Sequence, residues 1–318
     1  MKEIGGYFEL ELNNFNTIYH DNAIAVNSGR NALEYYLLAN NHFSKVFLPY
    51  FSCDSLLIPL ERLNISYELY YLDDNLLPKI EKVKKNELVI YINFFGLMSN
   101  KIKKIYNLFE NILIDNAQAF FSMPYKNLPT IYSPRKFFGV PDGGFVYSNK
   151  KISDELKVDS SVDRFRHLLL RIEKKASSGL DLYRQNNKLF NKLPLKKMSR
   201  ITRKLLLNID FDNVKNKRNI NFNFLHDLLK NTNEFTNIIE NAEINAPLIY
   251  PYLNKNNRNK RRILTENKIY IAQYWPNVPK SLSNKNTIEN YLFHQLLAIP
   301  IDQRYNPEDL IKIVNLLN

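Results

Sequence analysis

Short apolar runs alternate with amphipathic stretches through the first half of the chain. Val46-Phe47-Leu48, closed by Pro49, reads as a strand, and so does Tyr67-Glu68-Leu69-Tyr70-Tyr71-Leu72. Leu88-Val89-Ile90-Tyr91-Ile92 is a continuous β-branched and aromatic run, the pattern of a strand buried on both faces. Ile112-Leu113-Ile114 is shorter and ends at Asp115. Between these runs the spacing predicts helices. One covers 31–39, with Ala32, Leu33, Tyr36 and Leu37 on one face; another covers 100–109, with Ile102, Ile105 and Leu108. Strands alternating with helices predict an α/β domain on a mainly parallel sheet. In such sheets ligands sit beyond the carboxyl ends of the strands.

Beyond Asn149 the pattern changes. Residues 157–208 are rich in charge and helical spacing, interrupted by the polar Ala176-Ser177-Ser178-Gly179. A long helix is expected over 212–229, with Arg218 and Phe222 inside it. Short strand-like pieces follow between 250 and 275, the Asn- and Lys-rich patch 254–262 reads as loop, and a final helix follows Ala298-Ile299-Pro300. The division expected is a large domain with a helical connecting segment, 1–211, and a small C-terminal α+β domain, 212–318.

Composition narrows the function classes. The chain has 318 residues, 45% hydrophobic and 13% aromatic, enough for a sizeable core. No apolar run approaches the roughly 20 residues of a membrane span, and Met1-Lys2-Glu3-Ile4-Gly5-Gly6 lacks an apolar leader core. A single cysteine, Cys53, excludes an internal disulfide framework. The five histidines are scattered without metal-site spacing, so no metal is expected. A cytoplasmic location is the expectation. The net charge of +12 favours anionic partners. Lys and Arg are spread along the chain, however, and no nucleic-acid partner is expected.

Four stretches carry candidate chemistry. In Val26-Asn27-Ser28-Gly29-Arg30-Asn31 a small-residue turn precedes a helix start, where free N–H groups can hold a phosphate; an ordinary cap reads the same way. In Ile114-Asp115-Asn116-Ala117-Gln118 a carboxylate ends a buried strand; it needs a cation or donors, or it caps a following helix. In Tyr132-Ser133-Pro134-Arg135-Lys136-Phe137-Phe138-Gly139-Val140-Pro141-Asp142-Gly143-Gly144 three of only eight glycines follow a lysine set among apolar neighbours. A lysine so placed releases its proton more readily and attacks carbonyls; the plainer reading is a surface lysine before a Pro-Asp-Gly turn. Asn93-Phe94-Phe95-Gly96 is an aromatic turn leaving a strand. A lysine for a Schiff base, an acid for a pyridinium nitrogen and a phosphate cradle are the requirements of pyridoxal phosphate.

In that order these motifs resemble the DegT/DnrJ/StrS-type aminotransferases, fold type I enzymes that use pyridoxal phosphate and mostly act on nucleotide-linked keto sugars. The resemblance runs from Ser28 to about Asn149. It returns at Leu297-Ala298-Ile299-Pro300-Ile301-Asp302 and Asn306-Pro307-Glu308-Asp309-Leu310, which resemble a closing strand and helix. It implies that Lys136 carries the cofactor and shuttles the proton, and that Asp115 pairs with the pyridine nitrogen. It places Gln118 near the phenolic oxygen. Ser28, Gly29, Arg30, Asn31 and Ser133 fall in the phosphate region, and Cys53 at the ring-stacking position. Asp142-Gly143-Gly144 matches the acidic-Gly-Gly turn. It also implies an amino acid donor, glutamate, an anionic keto substrate destined for a surface polysaccharide, and a homodimer.

Departures are equally specific. Arg30 stands where threonine is usual, Ile131 where many members have serine, Cys53 where tryptophan can stack, and Asn93 for a frequent histidine. The segment Gly-Tyr-Asn-x-Arg-Met that reaches a neighbouring subunit has no match between 181 and 203, and the chain is short for the family. Two alternatives follow: a smaller phosphorylated ketone as acceptor, or a non-catalytic binding protein on the same fold.

Overall fold

The computed structural model describes residues 10–12 and 17–317. The stretch Met1-Lys2-Glu3-Ile4-Gly5-Gly6 lies outside the described residues.

Eight strands form one sheet: β1 (Ile24–Val26), β2 (Lys45–Pro49), β3 (Ser66–Leu72), β4 (Pro78–Lys79), β5 (Glu87–Ile92), β6 (Ile112–Asp115), β7 (Thr130–Tyr132) and β8 (Gly144–Tyr147). Their order is β1-β8-β7-β6-β5-β2-β3-β4. The run β3-β2-β5-β6-β7 is parallel throughout, and β8, β1 and β4 add antiparallel edges. This is the mainly parallel α/β sheet expected. Every residue of β5 is buried, as its unbroken apolar run requires. The strands β1 and β7 escaped the sequence reading because three residues are too few to show a period.

The helix α1 (Gly29–Ala39) starts two residues earlier than its apolar face suggests, because Ser28 Oγ accepts from the Asn31 N–H and caps it. The helix expected over 100–109 stops at Ile105, and Leu108 is left 64% exposed. The long helix is Phe211–Leu229, capped by Asp210. Past it, β9 (Ile249–Leu253) pairs antiparallel with β10 (Leu296–Pro300) as a second, two-stranded sheet, and the helix Pro307–Leu317 closes the described chain. Two expectations are corrected here. The strand-like pieces between 250 and 275 reduce to β9, and the patch read as loop ends in a helix, Lys260–Glu266. That helix forms because Leu264 has a core site to fill and is fully buried.

Buried Arg218 ties the C-terminal elements to the large sheet. It donates to the Pro247 and Leu248 carbonyls at 3.0 and 3.2 Å, and its guanidinium lies 4.5 Å from the Phe137 ring centre. Among the described residues no helix is long and apolar enough to cross a membrane.

Candidate active site

Parallel strands β5, β6 and β7 deliver their carboxyl ends to one side of the sheet, and the loops that follow them surround a cavity of about 480 Å³. Asp115 is the last residue of β6 and is buried at the cavity floor. Its carboxylate accepts from the Ala117 N–H at 2.8 Å. The chain then turns instead of entering a helix, so the helix-cap alternative for Asp115 falls away. Burial raises the Asp115 pKa above the ordinary value, while the nearby Lys136 cation and the Ala117 N–H pull it back.

Gln118 is held one turn further on. Its amide oxygen accepts from the Phe95 N–H at 2.9 Å, which leaves the amide nitrogen, a donor, on the cavity side. The aromatic turn Phe94–Gly96 makes this contact and also accepts from the Leu248 N–H at the Phe95 carbonyl. Gly96 has φ +87°, and a Cβ there would stand 2.8 Å from the Gln118 carbonyl oxygen. Asn93, buried, links the same two loops through Asn116 and the Met98 N–H.

The opposite wall is the start of α1. β1 and β8 are paired, so Gly143 and Gly144 pass directly beneath Ser28 and Gly29. The Gly143 N–H donates to the Asn27 carbonyl at 3.0 Å, and Gly143 has φ +115°. Gly29 faces Ser133, where a Cβ would meet the Ser133 Cβ at 3.2 Å. Two glycines at 143 and 144 therefore let the chain run beneath the α1 entrance. Asp142 is fully buried and serves as an anchor: Ser199 and Thr202 donate to it, and Arg164 lies 3.5 Å away.

Of the residues expected at the site, Ser28, Gly29, Arg30, Cys53, Asp115, Gln118, Ser133 and Lys136 all line this cavity. Asn31 does not. Its side chain points into the fold and donates to Asn27 Oδ1 and the Pro194 carbonyl at 2.6 and 3.0 Å, while its N–H is used by Ser28. Lys136 is also not enclosed as the apolar neighbours implied: Phe137 and Phe138 turn into the core and leave Lys136 exposed at the cavity.

Several lining residues were not singled out beforehand. Trp275 comes from the C-terminal half and packs edge-on against Phe51 at 4.8 Å. Tyr183 and Asn187 lie on the helix Leu180–Leu189, and Phe190 and Asn191 directly follow it. Their spacing, one helical face bearing rings and amides instead of aliphatics, was a readable signal. Arg135 joins them: its guanidinium donates to Asn187 Oδ1 at 2.8 Å and stacks on Phe190 at 4.2 Å. Arg30 donates to Asn191 Oδ1 from the other side.

No protein-family model matches the chain. No curated protein is a significant match either. Solved structures match its shape closely. A DegT DnrJ EryC1 StrS aminotransferase from Brucella abortus superposes with TM-score 0.62 at 15% identity, over 93% of this chain and 84% of that one. The sugar aminotransferase CalS13 from Micromonospora echinospora gives TM-score 0.62 at 16% identity, over 93% and 86%. NtdA from Bacillus subtilis, solved with its PMP cofactor bound, gives TM-score 0.62 at 14% identity, over 93% and 72%. At these identities the likeness is one of architecture: the chain has the fold of the DegT/DnrJ/EryC1/StrS aminotransferases.

Proposed function

We propose that this protein is a pyridoxal-phosphate-dependent aminotransferase that moves an amino group from an amino acid, glutamate, to a keto group of a nucleotide-linked sugar used for surface polysaccharide. One observation carries the reading. The carboxylate that ends β6 and the lysine that follows β7 open onto one cavity whose far wall is a helix N-terminus.

The donor set fits the cofactor. The Gly29 and Arg30 N–H groups at the head of α1, the Ser133 hydroxyl and the Arg30 guanidinium suit a phosphate dianion. Asp115 suits a protonated ring nitrogen, whose positive charge offsets the cost of burying the carboxylate. The Gln118 amide N–H suits a phenolic oxygen. Trp275 supplies the ring face that Cys53 cannot. When bound, the cofactor supplies an electron sink for the carbon that exchanges nitrogen. Lys136 lines the cavity, where its amine would hold the cofactor and carry a proton across the substrate face. Asp115 keeps its charge partner protonated through the cycle. The solved proteins of this fold described as sugar aminotransferases, and the one holding PMP, the amine form of the cofactor, support the same assignment.

We extend the reading to a homodimer. The helix Leu180–Leu189 beside the cavity leaves Leu180, Tyr183 and Leu189 at 40, 46 and 51% exposure, and a second chain would cover them and enclose Lys136.

The test is the absorbance of purified protein with pyridoxal phosphate, before and after glutamate. A visible band that bleaches with glutamate and returns with a keto sugar nucleotide is expected. A protein that the cofactor cannot colour overturns the proposal.

A further inference from the structure

Arg30, Arg135, Lys136 and Lys188 line the cavity, together with the carboxylates Asp54 and Asp115. Among the described residues neither Arg30 nor Arg135 has the carboxylate partner of Arg164 or Arg62, and neither spends its donors on two backbone carbonyls as buried Arg218 does. Arg164 is neutralised by Asp159 at 2.8 Å and Asp142 at 3.5 Å, and Arg62 by Glu34 at 2.8 Å. Arg135 meets no carboxylate among the described residues. It has one amide oxygen, Asn187 Oδ1 at 2.8 Å, and the Phe190 ring at 4.2 Å, while its Nε is buried without a partner. Burial pushes the Arg135 guanidinium down to about 10; Tyr183 offsets this and the Arg30 charge adds to it. A partly desolvated guanidinium left with most of its five donors unused is costly unless an anion arrives.

The two arginines also belong to different walls. Arg30 sits at the head of α1, against Asn191. Arg135 sits one residue before Lys136, clamped by the helix Leu180–Leu189 and Phe190. One phosphate at α1 accounts for Arg30 and leaves Arg135 over. We propose that Arg135, oriented by Asn187 and Phe190, is a specificity-determining residue that binds an oxyanion carried by the substrate, separate from the cofactor phosphate. A planar fork suits either a carboxylate or a phosphoryl group in two-point contact. The inference rests on the cofactor reading above only for the identity of the other anion.

The experiment compares wild type with Arg135→Gln, whose amide can still meet Asn187. Three affinities are read. Pyridoxal phosphate is followed by the fluorescence of Trp275, the single tryptophan of the chain, which lines the cavity. Inorganic pyrophosphate is titrated by calorimetry into cofactor-loaded and cofactor-free protein. Glutamate is followed by the bleaching of the visible band. A loss of roughly tenfold or more for pyrophosphate or glutamate, with cofactor affinity within about twofold, supports the proposal. Loss in the pyrophosphate arm identifies a phosphoryl group as the anion, and loss in the glutamate arm a carboxylate. Unchanged affinity in both arms overturns it, as does a parallel loss of cofactor affinity, which would give Arg135 to the cofactor. If wild type fails to take up the cofactor, the proposed activity fails; titration of pyrophosphate and of glutamate by calorimetry into cofactor-free protein then decides Arg135, unchanged affinity for both overturning it.

Discussion

Gly144 passes so close to Ser28 that a Cβ on it would lie 2.2 Å from the Ser28 carbonyl oxygen. The obstruction is backbone, which cannot rotate away, and it lies where β8 supports the entrance of α1. Gly144→Ala should therefore separate β8 from the α1 head and destabilise the protein by at least about 1–3 kcal/mol, the ordinary cost of overpacking. It should also weaken cofactor binding. Gly139→Ala is the control, since the nearest atom there is Leu168 Cδ2 at 3.8 Å. Thermal unfolding of both variants checks this; equal melting temperatures would refute the role given to Gly144.

Asp115→Asn should separate stability from activity. The folded-state pKa of Asp115 is raised from 3.8, so below the unfolded value both states are protonated and the carboxyl costs nothing. As pH rises through the folded value, the buried charge becomes a penalty that is complete above it. The cofactor-free variant should be as stable as wild type or more so at pH 7, and the advantage should vanish below about pH 4. Transamination should fall by orders of magnitude, because an amide cannot hold a ring nitrogen protonated. Denaturant titrations at both pH values, with single-turnover rates, measure the two effects.

Where sequence pattern and tertiary constraint coincide, the fold could be read beforehand. β5 is buried on both faces, and the five-residue apolar run from Leu88 to Ile92 showed it. Asp115 could be placed at the cavity because it ends a strand visible in the pattern, and Gln118 three residues on comes with it; Lys136 lines the same cavity although β7 before it showed no period. Arg135 and Trp275 could not be placed there, because their position depends on how distant segments dock. Trp275 reaches the cavity because its segment docks on the loop after β2: its ring packs on Phe51, and the Asn277 amide donates to the Ser52 carbonyl. Asn31 failed for the opposite reason. Its position in the loop suited a phosphate, but at the third helical residue its side chain turns toward Asn27 and Pro194. Pattern gives proximity in sequence, and direction comes from the helix.

His20 should set part of the acid sensitivity. Its Nε2 lies 2.7 Å from the Phe120 carbonyl, so Nε2 carries the proton, and Nδ1 accepts from the Tyr147 hydroxyl at 3.1 Å. Burial lowers its pKa to about 4 from 6.5. The neutral ring stabilises the fold fully above pH 6.5. That contribution, about 3 kcal/mol, is lost as pH falls from 6.5 to about 4. His20→Gln keeps a donor for Phe120 but does not titrate, so its unfolding free energy should fall less over this window. Parallel slopes for the two proteins would exclude His20.

Lys136→Ala should keep cofactor affinity within about tenfold while abolishing turnover, because the phosphate, ring-nitrogen and phenolic contacts come from other residues. Trp275 fluorescence should still be quenched by pyridoxal phosphate, but the visible band of the lysine-linked form should be missing. A variant that retains that band would show that another amine carries the cofactor.

Arg30 is the residue most specific to this chain in the phosphate wall. Two hydroxyls usual in similar enzymes are absent here, at Arg30 and Ile131, and Ile131 is buried without a donor to offer. A dianion in a partly desolvated pocket needs replacements. Arg30 stands at the head of α1, where the Gly29 and Arg30 N–H groups have no intrahelical partner. Its guanidinium has given one donor to Asn191 and has no carboxylate within salt-bridge distance among the described residues. Burial lowers the Arg30 pKa, with Cys53 and Asp54 offsetting part of that, so an arriving anion relieves the cost of burying the guanidinium. Arg30→Ala should weaken pyridoxal phosphate binding by roughly 1.5–3 kcal/mol, the range for hydrogen bonds to a charged group. Pyridoxal without its phosphate should bind variant and wild type alike, since Arg30 would then have nothing to hold. Titration of both compounds against Trp275 fluorescence gives the comparison. An equal loss for pyridoxal and its phosphate would place Arg30 on the ring or the substrate instead.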